Sequence, residues 1–178
     1  MTRLLRLLLQ LCLFRLAPQD LPYSPQLARG LVLITLALHL VFVQLLDLGE
    51  APSRIALALV WLLGLPWLLL GLRQRRPRYV QTLTAFAGSG LLFMLALLPL
   101  AQPIAQLQPL LPDTPPSAAQ VLLPLAYFVM LVWKLALNAH IWRHALDWPR
   151  GGAVLLAIGL FLLEVALEGA VFPSHAAS

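Results

Sequence analysis

Five long apolar blocks alternate with short polar segments along this chain: Leu31 to Leu48, Ile55 to Leu72, Val80 to Leu100, Val121 to Trp142, and Ala153 to Phe172. Each holds about 18 to 22 residues and lacks the ten-residue apolar and polar alternation of an outer-membrane barrel strand. At ~1.5 Å of rise per residue each block reaches roughly 27 Å or more, enough to cross the hydrocarbon core of a bilayer. Helices are the expected form, because lipid offers no partner to a backbone N–H or C=O and every such group must be satisfied within its own segment. The pattern predicts an all-α, polytopic membrane bundle of five transmembrane helices over residues 29–172, followed by a tail at 173–178.

The residues before the first block follow a different pattern. In MTRLLRLLLQLCLFRLA, Arg3, Arg6 and Gln10 recur at helical spacing while leucines fill the other faces, which predicts an amphipathic helix over 1–17 lying in the membrane interface. Arg6 and Arg15 interrupt the apolar run and no small-residue cleavage site precedes Gln19, so it does not read as a secretory signal. Residues 18–28 form a proline-rich hinge. Pro18 ends the first helix, Pro22 and Pro25 keep the connection extended, and Asp20 or Ser24 is placed to cap the first span.

Composition agrees with lipid as the solvent: of 178 residues, 61% are hydrophobic and only 11% charged. Charge then sets an orientation. Arg3, Arg6, Arg15 and Arg29 precede span one, Arg73, Arg75, Arg76 and Arg78 separate spans two and three, and Arg143 and Arg150 flank the turn between spans four and five. All three regions fall on one side, while Asp47, Glu50, Asp113 and Arg54 fall on the other. The positive-inside rule puts the N-terminus in the cytoplasm and the C-terminus outside, and Trp67, Tyr79, Trp142 and Trp148 are expected near the cytoplasmic interface. The Leu, Ala, Arg and Pro-heavy usage points to the inner membrane of a bacterium.

The isoelectric point near 10.4 does not call for nucleic acid. The run RQRRPR, Arg73 to Arg78, sits in a tight turn where it fixes topology and meets anionic lipid headgroups, as Arg3 and Arg6 also would, and no folded reader or stacking surface accompanies it. The single cysteine, Cys12, excludes an intramolecular disulfide and a thiol metal cluster. The segment Ala101 to Ala118 carries five prolines and no Lys or Arg; it is expected to be a non-helical linker, with Leu107, Leu110 and Leu111 resting on the membrane face.

Candidate chemistry lies in the polar residues within the apolar blocks, since an ionisable group in lipid is costly and marks a place to look for partners or function. Span one carries His39 and Gln44, span four Lys134, Asn138 and His140, and span five Glu164 and Glu168. Lys134 and Asn138, like Glu164 and Glu168, are one helical turn apart and share a face. Counted from the cytoplasmic ends, Lys134 lies at about 12 Å, His39 at about 12 to 15 Å, Glu164 at about 17 Å and Glu168 at about 23 Å. Spans four and five are expected to pack as an antiparallel hairpin that brings Lys134 and Glu164 within reach of each other, and the sequence leaves open whether the two pair.

No catalytic set is legible: no nucleophile stands beside a base, and His140 and His144, although at metal-ligand spacing, lack the HExxH pattern, have Arg143 between them, and read as solvated interface histidines. No cofactor or metal is expected. In span three, small residues from Ala85 to Gly90 offer a face for close helix approach, either within the bundle or between copies, and Pro66 and Pro124 are expected to kink or start their helices.

Five spans preceded by Asp20-Leu21-Pro22-Tyr23-Ser24-Pro25 resemble the Yip family of membrane proteins, whose members carry an Asp-Leu-Tyr-Gly-Pro-like motif before the first span. Pro22 is interposed here, Ser24 replaces the glycine, and the family's Gly-Tyr element is absent from the spans. The resemblance implies a non-enzymatic membrane adaptor with Asp20, Tyr23 and Pro25 as partner-binding positions, acting on a membrane-protein partner or a second copy. The alternative reading of the residues is a small oligomeric transporter or proton-coupled protein using His39, Lys134, Asn138 and Glu164.

Overall fold

The computed structural model describes residues 2–107 and 115–172, and among these all regular structure is helical. Helix α1 (Thr2–Cys12) and a short 3-10 turn (Pro18–Asp20) precede span one, α2 (Pro25–Leu45). Span two is built from α3 (Ala51–Leu59), a π-helical turn (Val60–Gly64) and α4 (Leu65–Leu72). Spans three to five are α5 (Tyr79–Ala105), α6 (Ala118–Leu146) and α7 (Arg150–Val171). Five helical segments are thus long and apolar enough to cross a membrane, and the protein is a multi-pass membrane protein.

The helices outrun the apolar blocks because their ends are capped beyond them. Span one starts at Pro25 rather than Leu31: Ser24 Oγ accepts from the Leu27 N–H at 3.2 Å, and Pro25, which has no N–H to leave orphaned, occupies the first turn. Span four starts at a reciprocal cap, in which the Gln120 N–H donates to Ser117 Oγ and the Ser117 N–H donates to Gln120 Oε1. The expectation that 101–118 is wholly non-helical is corrected at its first residues. Helix α5 runs to Ala105 through Pro99 and Pro103, each of which removes one ladder hydrogen bond and leaves the others in place. Leu107 is half-buried, while Leu110, Leu111 and Asp113 lie outside the described residues. Pro124 likewise sits inside α6.

Pro66 has a larger effect. Its missing N–H breaks the regular ladder in span two, and the preceding residues widen into the π-helical turn; the Tyr79 hydroxyl donates to the Leu63 carbonyl at 3.2 Å.

Helix α5 occupies the middle of the bundle. Its stretch from Thr82 to Ala85 and from Ala87 to Ser89 is buried, the small side chains admitting α2 on one flank, where Thr35 Oγ1 donates to the Ala87 carbonyl at 3.1 Å. On the other flank Gly88 admits α1: a Cβ at Gly88 would lie 2.5 Å from Leu8 Cδ2. The small-residue face therefore serves packing within the chain.

Helix α1 does more than lie beside the bundle. Leu8 and Leu11 are buried in a cluster with Leu21, Ala85, Phe93, Leu137 and Ile141, while Arg3, Arg6, Leu5, Leu9 and Leu13 remain exposed. Leucines on two sides of the helix give it one apolar face for the bundle and another left over. The hinge that follows is sewn to α5 and α6 by side chains that satisfy its carbonyls. Trp133 Nε1 donates to Cys12 O at 2.9 Å, the His140 ring meets Leu16 O at 2.9 Å, and Gln81 Nε2 donates to Gln19 O and Leu21 O, both at 2.8 Å. Gln19 Nε2 in turn donates to His144 O. His140 and His144 are thus not simply solvated: their rings pack edge to face with centroids 4.6 Å apart, and Phe14 packs on His140 at 5.5 Å.

The arginine-rich turns close the same end of the bundle. Asp147, which ends α6 in the left-handed conformation, pairs with Arg75 at 3.0 Å and Arg78 at 2.9 Å, joining the turn after span two to the turn after span four. Arg78 Nη1 also donates to His144 O and Ala145 O, two carbonyls of the last turn of α6. Arg73 lies over the Trp148 ring and Arg76 over the Trp67 ring, at 5.4 and 5.2 Å from their centroids. The Arg78 hydrogen bond, with Arg75 beside it, holds the Asp147 carboxyl below its usual range. Beneath these turns Leu70, Trp142, Ala145, Leu146 and Ala153 form a buried plug. Trp142 is therefore a core residue packed on Phe86 at 4.8 Å, not a member of an interface belt; the alanines of α6 and α7 let the helices close around it.

Candidate functional site

Above that plug the packing opens. Four of the intramembrane polar residues, His39 of α2, Lys134 and Asn138 of α6, and Glu164 of α7, line a single cavity of about 220 Å³. At ~1.5 Å per residue from the arginine-rich ends of their helices, His39, Lys134 and Glu164 all lie about 18 to 21 Å deep and Asn138 about 12 Å. The longer helices place them deeper than the apolar blocks alone implied, and at one level. Thr35 adds a hydroxyl, while Trp61, Phe86, Trp142 and Phe161 supply aromatic walls.

Each wall has a local cause. The π-helical turn before Pro66 brings Trp61, Leu62 and Leu65 to the lining; such turns insert one residue into a helix and re-aim the side chains around it. Helix α5 contributes Gly90, which leaves room for Lys134: the ammonium lies only 3.8 Å from where a Cβ on Gly90 would sit and 5.6 Å from the centroid of the Phe93 ring. Ala157 and Leu160 bring α7 alongside α6, so that Glu164, one turn beyond Leu160, faces the same space.

Lys134 and Glu164, which the hairpin brings within reach of each other, do not close into an ion pair. Among the described residues the two form no direct ion pair, and neither they nor His39 make a hydrogen bond. Asn138 Oδ1 is buried without a partner. An unpaired polar group in an apolar interior is costly, so these side chains require an occupant of the cavity, water at the least.

A second cavity of about 450 Å³ shares His39 in its lining and lies toward the end of the bundle opposite the arginine-rich turns. It is bounded by Arg54 at the start of span two, Tyr127 of α6, the last turns of α5 and Glu168 of α7. Arg54 stacks over the Phe172 ring at 4.2 Å, tying the start of α3 to the end of α7. His39 thus stands between a mid-bundle chamber and a vestibule, with a buried plug on the other side of the chamber.

The remaining expected site residues fall elsewhere. Gln44 lies exposed near the end of α2 and outside both cavities. Asp20 is exposed, but its carboxylate accepts from the Ala17 N–H at 2.7 Å, holding the 3-10 turn. Pro25 opens α2, and Tyr23 is 64% exposed. Arg75 and Arg78 are occupied by Asp147. Thr35, Trp61, Phe86 and Phe161 were not anticipated as lining; their types are common in any span, and only the fold brings them together. Among the described residues no group of His, Cys, Asp and Glu is placed to hold a metal ion. No family model matches the chain, and neither a curated protein nor a solved structure matches it.

Proposed function

We propose that this protein is a small, non-catalytic membrane transporter whose working part is the chamber lined by His39, Lys134, Asn138 and Glu164. The observation that carries the reading is that ionisable and amide side chains from three spans face one mid-bundle cavity, and among the described residues Lys134, Glu164 and His39 make no ion pair or hydrogen bond there. π-helical turns inside α-helices occur frequently at functional sites, and the one at Val60–Gly64 contributes to the chamber wall. On this reading the second cavity serves one face of the membrane, and alternating access requires the plug around Leu70 and Trp142 to loosen as that cavity narrows. With the arginine-rich end in the cytoplasm of a bacterial cell, as the positive-inside rule favours, the vestibule faces outward across the inner membrane. Arg3 and Arg6, exposed on α1, meet the anionic headgroups of that leaflet.

The adaptor role that the Yip resemblance implies has less geometry behind it. Asp20 is used within the hinge and Pro25 within α2, leaving the exposed Tyr23 ring as the docking element.

The test is uptake of a radiolabelled panel of small amines, carboxylates, zwitterions and sugars into proteoliposomes containing the full chain. At least one solute is expected to enter faster than into protein-free vesicles, with Glu164→Gln reducing that rate by tenfold or more, on the order of the transition-state loss for one removed charge contact. A panel that enters no faster than into empty vesicles contradicts the reading.

A further inference from the structure

We infer that the solute accepted by the chamber is a small zwitterion carrying an ammonium and a carboxylate on an apolar body; this rests on the transport reading above. The lining holds one amine, Lys134, and one carboxyl group, Glu164, in the same cavity with no ion pair between them. Were the pair closed, each charge would satisfy the other and the site would be neutral to ligands. Held apart, the two present an amine and an acid to whatever sits between them, and an occupant carrying both a carboxylate and an ammonium is the one that compensates each side chain in its charged form.

The rest of the lining fits the same occupant. Asn138 sits one helical turn from Lys134 toward the arginine-rich end and can donate from its amide to a carboxylate that Lys134 holds. Trp61 and Phe161 belong to the same chamber as Glu164 and suit an ammonium, which is attracted to aromatic faces. Leu36, Leu62 and Leu160 give an apolar surface for the body of the molecule. A cavity of about 220 Å³ sets the size at a few heavy atoms beyond the charged groups.

The experiment is isothermal titration of the full chain in lipid nanodiscs with three probes of matched carbon skeleton: L-leucine, 4-methylpentanoate, which lacks the ammonium, and 3-methylbutylamine, which lacks the carboxylate. Leucine is expected to bind at least about tenfold more tightly than either analogue, since each analogue loses a charge-assisted contact. Lys134→Met is expected to remove the advantage of leucine over the amine, and Glu164→Gln its advantage over the acid. The wild-type comparison needs no variant to fold, so it decides the matter alone. Equal binding of leucine and one analogue, or no binding of leucine, overturns the zwitterion. If the proteoliposomes still take up another solute in a Glu164-dependent manner, the transport reading survives that failure; if they take up none, both fall.

Discussion

At the arginine-rich end of the bundle Asp147, Arg75 and Arg78 find partners within the chain, although Gln19 Oε1 and Thr82 Oγ1 are buried without one, whereas in the mid-bundle chamber Lys134, Glu164 and His39 make no ion pair or hydrogen bond among the described residues. Asp147 meets two arginines, Arg78 reaches two helix carbonyls, and Gln81, His140 and Trp133 hold the hinge carbonyls. Lys134, Glu164, His39 and the Asn138 oxygen face open volume instead. Lipid makes both solutions costly to reach, so the contrast separates two uses of the same residue types: partnered groups fix the architecture, and unpartnered groups in a cavity are held for something that comes and goes.

The comparison is broken most severely at Arg78. Arg78→Ala removes the donor from His144 O and Ala145 O, and is expected to lower stability by about 2–3 kcal/mol, read from unfolding in mild detergent with increasing SDS. An unchanged unfolding midpoint would mean that this end is held by packing alone. A smaller loss, about 1–2 kcal/mol, is expected for Gly88→Ala, whose new methyl group collides with the buried Leu8 and displaces α1. Combining it with Leu8→Ala should recover part of that loss; strictly additive losses would show that α1 does not dock there.

The mildest perturbation is pH. The Asp147 carboxyl is held below its usual range by Arg78, so its contribution is fully present above the ordinary carboxylate value near ~3.9 and is lost as pH falls through the lower folded value. Thermal unfolding should therefore show no Asp147-dependent change between about pH 7 and 5 and a decline below about pH 4 that Asp147→Asn lacks. The same decline in both proteins would assign it to other groups.

The chamber was more legible in the sequence than the structure that closes it. His39, Lys134, Asn138 and Glu164 stand out because an ionisable or amide group interrupting an apolar run is conspicuous whatever the fold. Their aromatic neighbours are not, since Trp61 or Phe161 looks the same whether it faces lipid or a cavity. Trp142 was misplaced for a related reason: a tryptophan close to a span end suits the interface, and only the alanine-lined contact between α6 and α7 draws it inward. Apolar periodicity located the five spans but not their ends, which depend on caps such as Ser24 and Ser117 and on how far α5 continues through Pro99 and Pro103. The hinge gave the least away. Its prolines announced a bend, but the donors that hold it come from the side chains of Gln81, Trp133, His140 and Gln19, and side-chain bonds to carbonyls across such separations leave no local pattern.

The central claim is that Lys134 and Glu164 are held apart for a ligand rather than paired to hold the bundle together, and a double-mutant cycle in stability addresses it directly. Lys134→Met, Glu164→Gln and the combined variant would be compared with the parent protein by unfolding in the absence of added solute. Separated charges predict losses that add, with a coupling energy below about 1 kcal/mol. A coupling of about 3 kcal/mol or more, the scale of a broken buried pair, would contradict the account and make the two residues a structural clasp.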